Sequence, residues 1–433
     1  MKKIRKKLNS ILSVSEQKKL SVNFANFGLF QIISYLVPVI TIPYIVRVIG
    51  PEKFGILSIA QAFTYYLWII TDYGYSISGV QLISQNQNNI PAGSRILKNI
   101  ISIQLLINAG CLLITVLVFN LYKPFAAYRY IFLFYFFSST ATIFLSPWLY
   151  TGLEKVKYIS TLTLIHRSVY VILIFTMLHN ESDYYLVPVF YSGSMLLGGG
   201  ISLILILVKF KFSFNHRVPL ALRHFLKQDQ QIYISNIFAN LYRNSNILIL
   251  SLFVSEASVG IYAAAEKIIK AIQGVFNPIT QAFYPYISRI TKISHVQSIR
   301  VIKYTLAFVS LLAGGVALAI FIFADSITHL AFGSGFASTA AIMRIASPVI
   351  LFGVTNFVVG IIFMTNYGMK RQFSYSVISV GLLNLAVCSL LSYLIGALGA
   401  GISFLSAEFI LLLFMSFFIY NNQELWKGND VRG

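Results

Sequence analysis

Three observations predict an all-α integral membrane protein: twelve transmembrane helices in two parallel six-helix bundles around a central cavity. Of 433 residues, 57% are hydrophobic and only 11% charged, whereas a soluble domain has about 45–50% and 25%. The apolar residues gather into twelve runs, each near the roughly 20 residues that cross hydrocarbon as a helix. A basic segment from Lys209 to Lys227 divides these runs into six and six.

In chain order the runs lie at approximately 24–46, 55–75, 97–119, 129–150, 159–178, 184–208, 230–253, 260–284, 302–324, 341–364, 374–395 and 398–420. The first follows a basic leader (Lys2, Lys3, Arg5, Lys6, Lys7, Lys18, Lys19) that has no A-x-A cleavage site, so an uncleaved first helix is expected rather than a signal peptide. With that leader inside, 24 of the 33 Lys and Arg residues fall in cytoplasmic segments and only Arg47, Lys53, Lys123 and Arg129 fall outside. This is the asymmetry that orients membrane helices. It holds only for an even helix count, so both termini are expected to be cytoplasmic. The prolines at 38, 43, 147, 278, 285 and 348 are expected to kink helices where they fall inside them.

The same topology explains the net charge of +20. In a soluble chain that charge would suggest nucleic acid; here anionic lipid headgroups are the expected contact. Cys111 and Cys388 sit far apart in apolar runs and read as small core residues, with no disulfide framework or metal knuckle. The six histidines are scattered without metal-ligand spacing, and no GxSxG, Walker A or zinc-protease motif occurs. Gly198-Gly199-Gly200 lies within an apolar run and reads as a close-packing stretch. The connections are too short for a soluble catalytic domain, so function is expected inside the bilayer or at its rim.

The expected domains are 1–210, a six-helix bundle with the basic leader, and 211–433, a second bundle that opens with the basic linker. A shift of 205 residues superposes Phe54-Gly55-Ile56 on Val259-Gly260-Ile261, Gln31 on Asn236, Gln61 on Glu266 and Asp72 on Asn277. Two parallel repeats related by an axis along the membrane normal would enclose a cavity between them.

Five cations remain within the expected spans: Arg167, Arg243, Lys267, Lys270 and Arg344. A charge at mid-membrane costs about 2.5–3.5 kcal/mol and usually faces a bundle interior or water. In the eighth run, Glu266, Lys270, Gln273, Asn277 and Gln281 recur at helical spacing and are expected to line an aqueous cavity. Glu266 and Lys270 can also form an i,i+4 ion pair, which would leave Lys267 unpaired on an adjacent face. Arg243 shares its side of the seventh run with Asn236, Asn240 and Asn244 and is expected to contact ligand. Arg344 either joins it or extends toward the interface. The acids in the spans are Asp72, Glu266 and Glu408, candidates either for carrying H+ or Na+ or for balancing a cation. The excess of cations suits an anionic substrate such as a phosphate or pyrophosphate.

Several segments carry a resemblance to a known family. The stretch from Pro38 to Gly55, containing Pro43-Tyr44-Ile45-Val46-Arg47 and Gly50-Pro51-Glu52-Lys53-Phe54-Gly55, resembles the first helix and loop of polysaccharide-unit flippases, the Wzx-type O-antigen transporters. Asp72-Tyr73-Gly74, Pro147 to Ile159 and Gly260 to Lys270 followed by Tyr284-Pro285 agree with it, although the family often has Gln where this chain has Thr151.

The resemblance implies membership of the multidrug/oligosaccharidyl-lipid/polysaccharide exporter superfamily. It also implies movement of an undecaprenyl-pyrophosphate-linked oligosaccharide across the bacterial inner membrane by alternating access, with H+ or Na+ as candidate coupling ions and no other cofactor. Arg243, Lys267 and Lys270 are expected to hold the pyrophosphate, assisted by Arg47, Arg167 and Arg344, with Asn240 among the polar lining. Other polysaccharide assembly proteins are candidate partners. The rival readings are a cation-coupled multidrug exporter of the same superfamily and a membrane glycan polymerase or ligase.

Overall fold

The structure is a computed structural model that describes residues 14–121, 126–214, 233, 237, 240, 243–291 and 293–424; its side chains are described from residue 37, omitting 279–282, 285 and 334. Every regular element among the described residues is helical. The first helix, α1 (Val14–Asp72), is bent at Gly50, whose φ of 73° a residue with a Cβ resists. As a straight rod, Pro38 and Trp68 would stand about 45 Å apart. Both line one cavity, so the chain folds back at Gly50.

Next come α2 (Tyr75–Ser84), α3 (Ile90–Leu121), α4 (Arg129–Leu145), α5 (Pro147–Gly152), α6 (Val156–Met177) and α7 (Leu186–Ile204). The later half contains α8 (Asn246–Leu250), α9 (Glu256–Val275), α10 (Asn277–Thr291), α11 (His295–Phe332), α12 (Thr339–Ala346), α13 (Pro348–Asn356) and α14 (Lys370–Asn421). A π-helical stretch, Phe357–Met364, follows α13. The last helix folds back at Ile395 and Gly396, which lets the Ser403 hydroxyl donate to Asn384 Oδ1 at 2.7 Å.

Proline sets several boundaries inside the expected runs. Pro147 and Pro348 open α5 and α13 at the first helical position, where a missing N–H costs nothing. Pro278 follows the first residue of α10. The expected eighth run is therefore two helices separated at Phe276, not one.

Among the described residues eight stretches are long and apolar enough to cross a membrane, against twelve expected. Two of the eight, Val37–Ser84 and Lys370–Asn421, contain a fold-back and cover two expected runs each. Ten of the 24 residues of the 230–253 run lie outside the described residues. α9 carries Glu266, Lys267 and Lys270 within five residues, too much charge for a span recognised by composition.

The main core lies where the arm of α1 beyond Gly50 crosses α9. Ala60 faces a run of fully buried small residues, Ala263, Ala264 and Ala265, which permit close backbone approach. The closest approach is reciprocal. A Cβ on Gly55 would lie 1.8 Å from the Glu256 carbonyl oxygen, and one on Gly260 would lie 1.9 Å from that of Pro51. Outward faces stay apolar: Leu311 and Leu330 on α11 are 77% and 78% exposed, the pattern of a surface solvated by lipid.

Candidate functional site

A cavity of about 730 Å³ lies beside this crossing, bounded by both arms of α1, by α4, α6, α7 and α9, and by Asn244 and Ile247. Rings of Tyr65, Trp68, Tyr135, Tyr170 and Tyr191 form much of its wall, and hydroxyls of Ser138, Thr142, Thr163 and Ser194 punctuate it. Its charged lining consists of Arg167 from α6 and of Glu266, Lys267 and Lys270 from α9. Three cations and one acid give it a net positive character.

Helical spacing puts these α9 side chains on neighbouring faces with different partners. Lys270 pairs with Glu266 Oε1 at 3.0 Å and also donates to the Arg243 carbonyl at 2.7 Å and Asn244 Oδ1 at 3.3 Å. Lys267 points the other way, across the crossing. Its ammonium donates to Gln61 Oε1 at 2.7 Å and Ser58 Oγ at 3.1 Å on α1 and lies 4.9 Å from the Phe54 ring centroid. No ion pair reaches Lys267 among the described residues, as expected from the sequence.

Arg243 lies next to the lining residue Asn244 with its side chain exposed, and its carbonyl anchors Lys270. Asn240 accepts from the Tyr65 hydroxyl at 2.9 Å, directly behind the wall.

Two expected assistants are not brought into the cavity. Arg47 donates to the carbonyls of Ala331 and Leu330 at the end of α11, acting as a cap on carbonyls that lack helical partners. Arg344 pairs with Asp325 on the exposed face of α11 and α12. Spacing along one helix cannot reveal such partners, because they come from elsewhere in the chain.

The polar stripe is also shorter than expected. Gln273 lies against α13, where a Cβ on Gly353 would meet its Nε2 at 1.7 Å. Asn277 begins α10 beyond the break at Phe276, and the Gln281 side chain lies outside the described residues. The other two acids are also engaged away from the cavity. Asp72 accepts from Ser76 Oγ at 2.8 Å, and Glu408 Oε2 accepts from Asn356 Nδ2 at 2.6 Å.

Sequence reasoning missed Ser58 and the role of Gln61, which it singled out only as the repeat mate of Glu266. It also missed a buried hydrogen-bond chain leading away from the cavity. Tyr262 donates to Glu266 at 3.2 Å, Asn246 to Tyr262 at 3.2 Å, Asn384 to Asn246 at 2.9 Å and Ser403 to Asn384 at 2.7 Å. Amides inside apolar runs were the available signal, since buried polar groups need partners.

Residues 21–291 match the family model described as Polysaccharide biosynthesis protein. A protein of Escherichia coli (strain K12) named "Putative O-antigen transporter" is 28% identical over 396 residues, covering 90% of this chain and 94% of that protein. A protein of the same name from Shigella dysenteriae is 25% identical, covering 88% and 95%. Among solved structures, lipid II flippase MurJ in an inward closed conformation is similar with a TM-score of 0.68 at 14% identity, covering 94% of this chain and 88% of that one. An inward-facing multidrug resistance MATE family transporter of the MOP superfamily gives 0.70 at 12% identity, covering 95% and 99%. These structures share the fold.

Proposed function

The chain belongs to the Polysaccharide biosynthesis protein family, and from that premise we propose that it is a flippase for a lipid-linked oligosaccharide. It is a transporter, not an enzyme. The substrate is an undecaprenyl-pyrophosphate-linked glycan, moved from the cytoplasmic to the periplasmic leaflet of the bacterial inner membrane. The single observation that carries this reading is the cationic cavity, with Arg167 on one wall and Lys267 and Lys270 on the other.

A pyrophosphate diester brings about two negative charges to the cations. Charge-assisted bonds to ammonium and guanidinium are roughly twice as strong as neutral ones. Arg167 offers a planar fork and the lysines compact point charges, while Arg243 stands close enough to join as the glycan enters. Tyr65, Trp68 and Tyr170 present flat apolar faces with hydroxyls nearby, a surface suited to sugar rings. The lipid tail stays in hydrocarbon throughout.

In this reading the helices form twelve spans in two six-helix halves, 1–210 and 211–433, with both termini cytoplasmic. Rocking of the halves against each other around the cavity opens it to each side in turn. Glu408, held by Asn356, is the carboxylate available to couple H+ or Na+ to that motion.

The test is complementation in a strain lacking the protein, with the leaflet of the lipid-linked unit as readout. Units should accumulate on the cytoplasmic side, and wild-type protein should relieve this. The Arg167→Met and Lys267→Met double variant, expressed at the same level, should not. Units that reach the periplasm in the deletion strain but remain unpolymerised would overturn the proposal in favour of a polymerase or ligase.

A further inference from the structure

Gly55 and Gly260 are the residues that the 205-residue offset superposes, and Pro51 and Glu256, whose carbonyls they approach, are superposed by the same offset. The two arms therefore meet as mates, each glycine against the other's carbonyl, at 1.8 and 1.9 Å from where a Cβ would stand. Such an approach holds the two arms together backbone to backbone, beside the cavity that Phe54 and Ser58 of the same arm line. At the two glycines the contact is with backbone carbonyls, so the arms can separate there only by moving the helices themselves.

Within about two helical turns of this contact, Lys267 makes the polar bridge between the arms, to Ser58 and Gln61. Its partners are neutral, and the same ammonium faces the cavity.

We infer that Lys267 is a ligand-released latch: an anionic group entering the cavity takes over its ammonium, frees Ser58 and Gln61, and lets the Gly55/Gly260 crossing part. This rests on the reading that an anionic substrate enters that cavity. The competition favours release, because a phosphate oxygen accepts from an ammonium more strongly than a hydroxyl or an amide does. Lys270 cannot serve in the same way. Its bonds are to Glu266, Arg243 and Asn244, none of which lies on α1. Lys267 is thus a positioning residue for the crossing as well as a contact for substrate.

The experiment places a reporter thiol at the crossing. Ala263→Cys puts it on the fully buried face of α9 between Gly260 and Lys267, and the parent protein, in which Cys111 and Cys388 are buried, gives the background. Full-length protein in detergent is labelled with a bulky maleimide, with or without farnesyl pyrophosphate as the probe. Adding Ser58→Ala and Gln61→Ala should raise the ligand-free labelling rate about tenfold by removing two hydrogen bonds. Farnesyl pyrophosphate should accelerate the reporter protein and add little to the latch-free variant. Gly260→Ala, whose methyl meets a backbone carbonyl, should raise the rate more than about tenfold with the latch intact.

Labelling of the Ser58/Gln61 variant at the reporter's own rate would overturn the latch, as would equal acceleration of both by the probe. Binding is read separately, as a rise in unfolding temperature of the parent protein. If the probe produces none, the anionic-substrate reading falls, while the ligand-free rate of the Ser58/Gln61 variant still decides the latch.

Discussion

Two polar clusters flank α9 and are built on opposite principles. Toward α14, the chain Lys270–Glu266–Tyr262–Asn246–Asn384–Ser403 stays among α8, α9 and α14, and each link ends on a group that accepts or donates in turn. Toward α1, Lys267 reaches Ser58, Gln61 and the Phe54 ring, neutral groups on the facing arm. A saturated network rigidifies the elements it joins. A cation with neutral partners remains available to a stronger acceptor. The contrast teaches where α9 is held fast and where it is poised to part: a saturated network with α8 and α14, and neutral partners alone for Lys267 on α1.

Substitutions can break or sharpen this contrast, with unfolding temperature in detergent and glycan export in cells as the paired readouts. Glu266→Ala should have the largest effect on stability, since it strips Lys270 and Tyr262 of their shared acceptor. Removing one partner of a fully buried pair costs about 3–5 kcal/mol, and the exposure of Lys270 lowers the expectation to about 2–3 kcal/mol. Asn384→Leu interrupts the same chain between neutral groups and should cost about 1–2 kcal/mol; an unchanged unfolding temperature there would deny that the chain rigidifies the helices it joins. Arg344→Ala breaks a pair whose acid is 71% exposed and should cost less than about 1 kcal/mol, with export intact. Lys267→Met should cost no more than about 1 kcal/mol, because loss of the bonds to Ser58 and Gln61 is offset by removal of a cation that had no acid partner. It should nevertheless abolish export. A large loss of stability in Lys267→Met, or normal export, would erase the distinction between the clusters.

Much of this was legible in the sequence because the signals were local. Apolar run lengths mark the helices, and i,i+4 spacing marks the Glu266–Lys270 pair. The recurrence of Phe54-Gly55-Ile56 as Val259-Gly260-Ile261 marks the pair that meets at the crossing. What escaped was set by distance along the chain or by a change of direction. Arg47 looks like a rim charge until Leu330 and Ala331, some 283 residues on, supply its acceptors. The stripe from Glu266 to Gln281 is periodic on paper, but α9 ends before Phe276, and Gln273 within it already packs against α13, a neighbour that spacing along one helix does not reveal. Ser58 and Gln61 are neutral polar residues in an apolar run, and the facing helix gives them their role.

The crossing at Gly55 and Gly260 has the form of an isologous interface, in which residue i meets j and the mate of i meets the mate of j. It is the contact that two identical subunits would make, carried within one chain. An actual homodimer would have to place the same side chains on both arms. Here the mates have diverged: Ser58 stands opposite Ala263 in the alignment, Gln61 opposite Glu266, and Lys267 opposite Ala62. A symmetric crossing thus holds an asymmetric bridge beside it. Fusion of the two arms into one polypeptide is what permits it: one arm carries the ammonium and the other its acceptors, a division of labour that two identical subunits could not keep to a single copy.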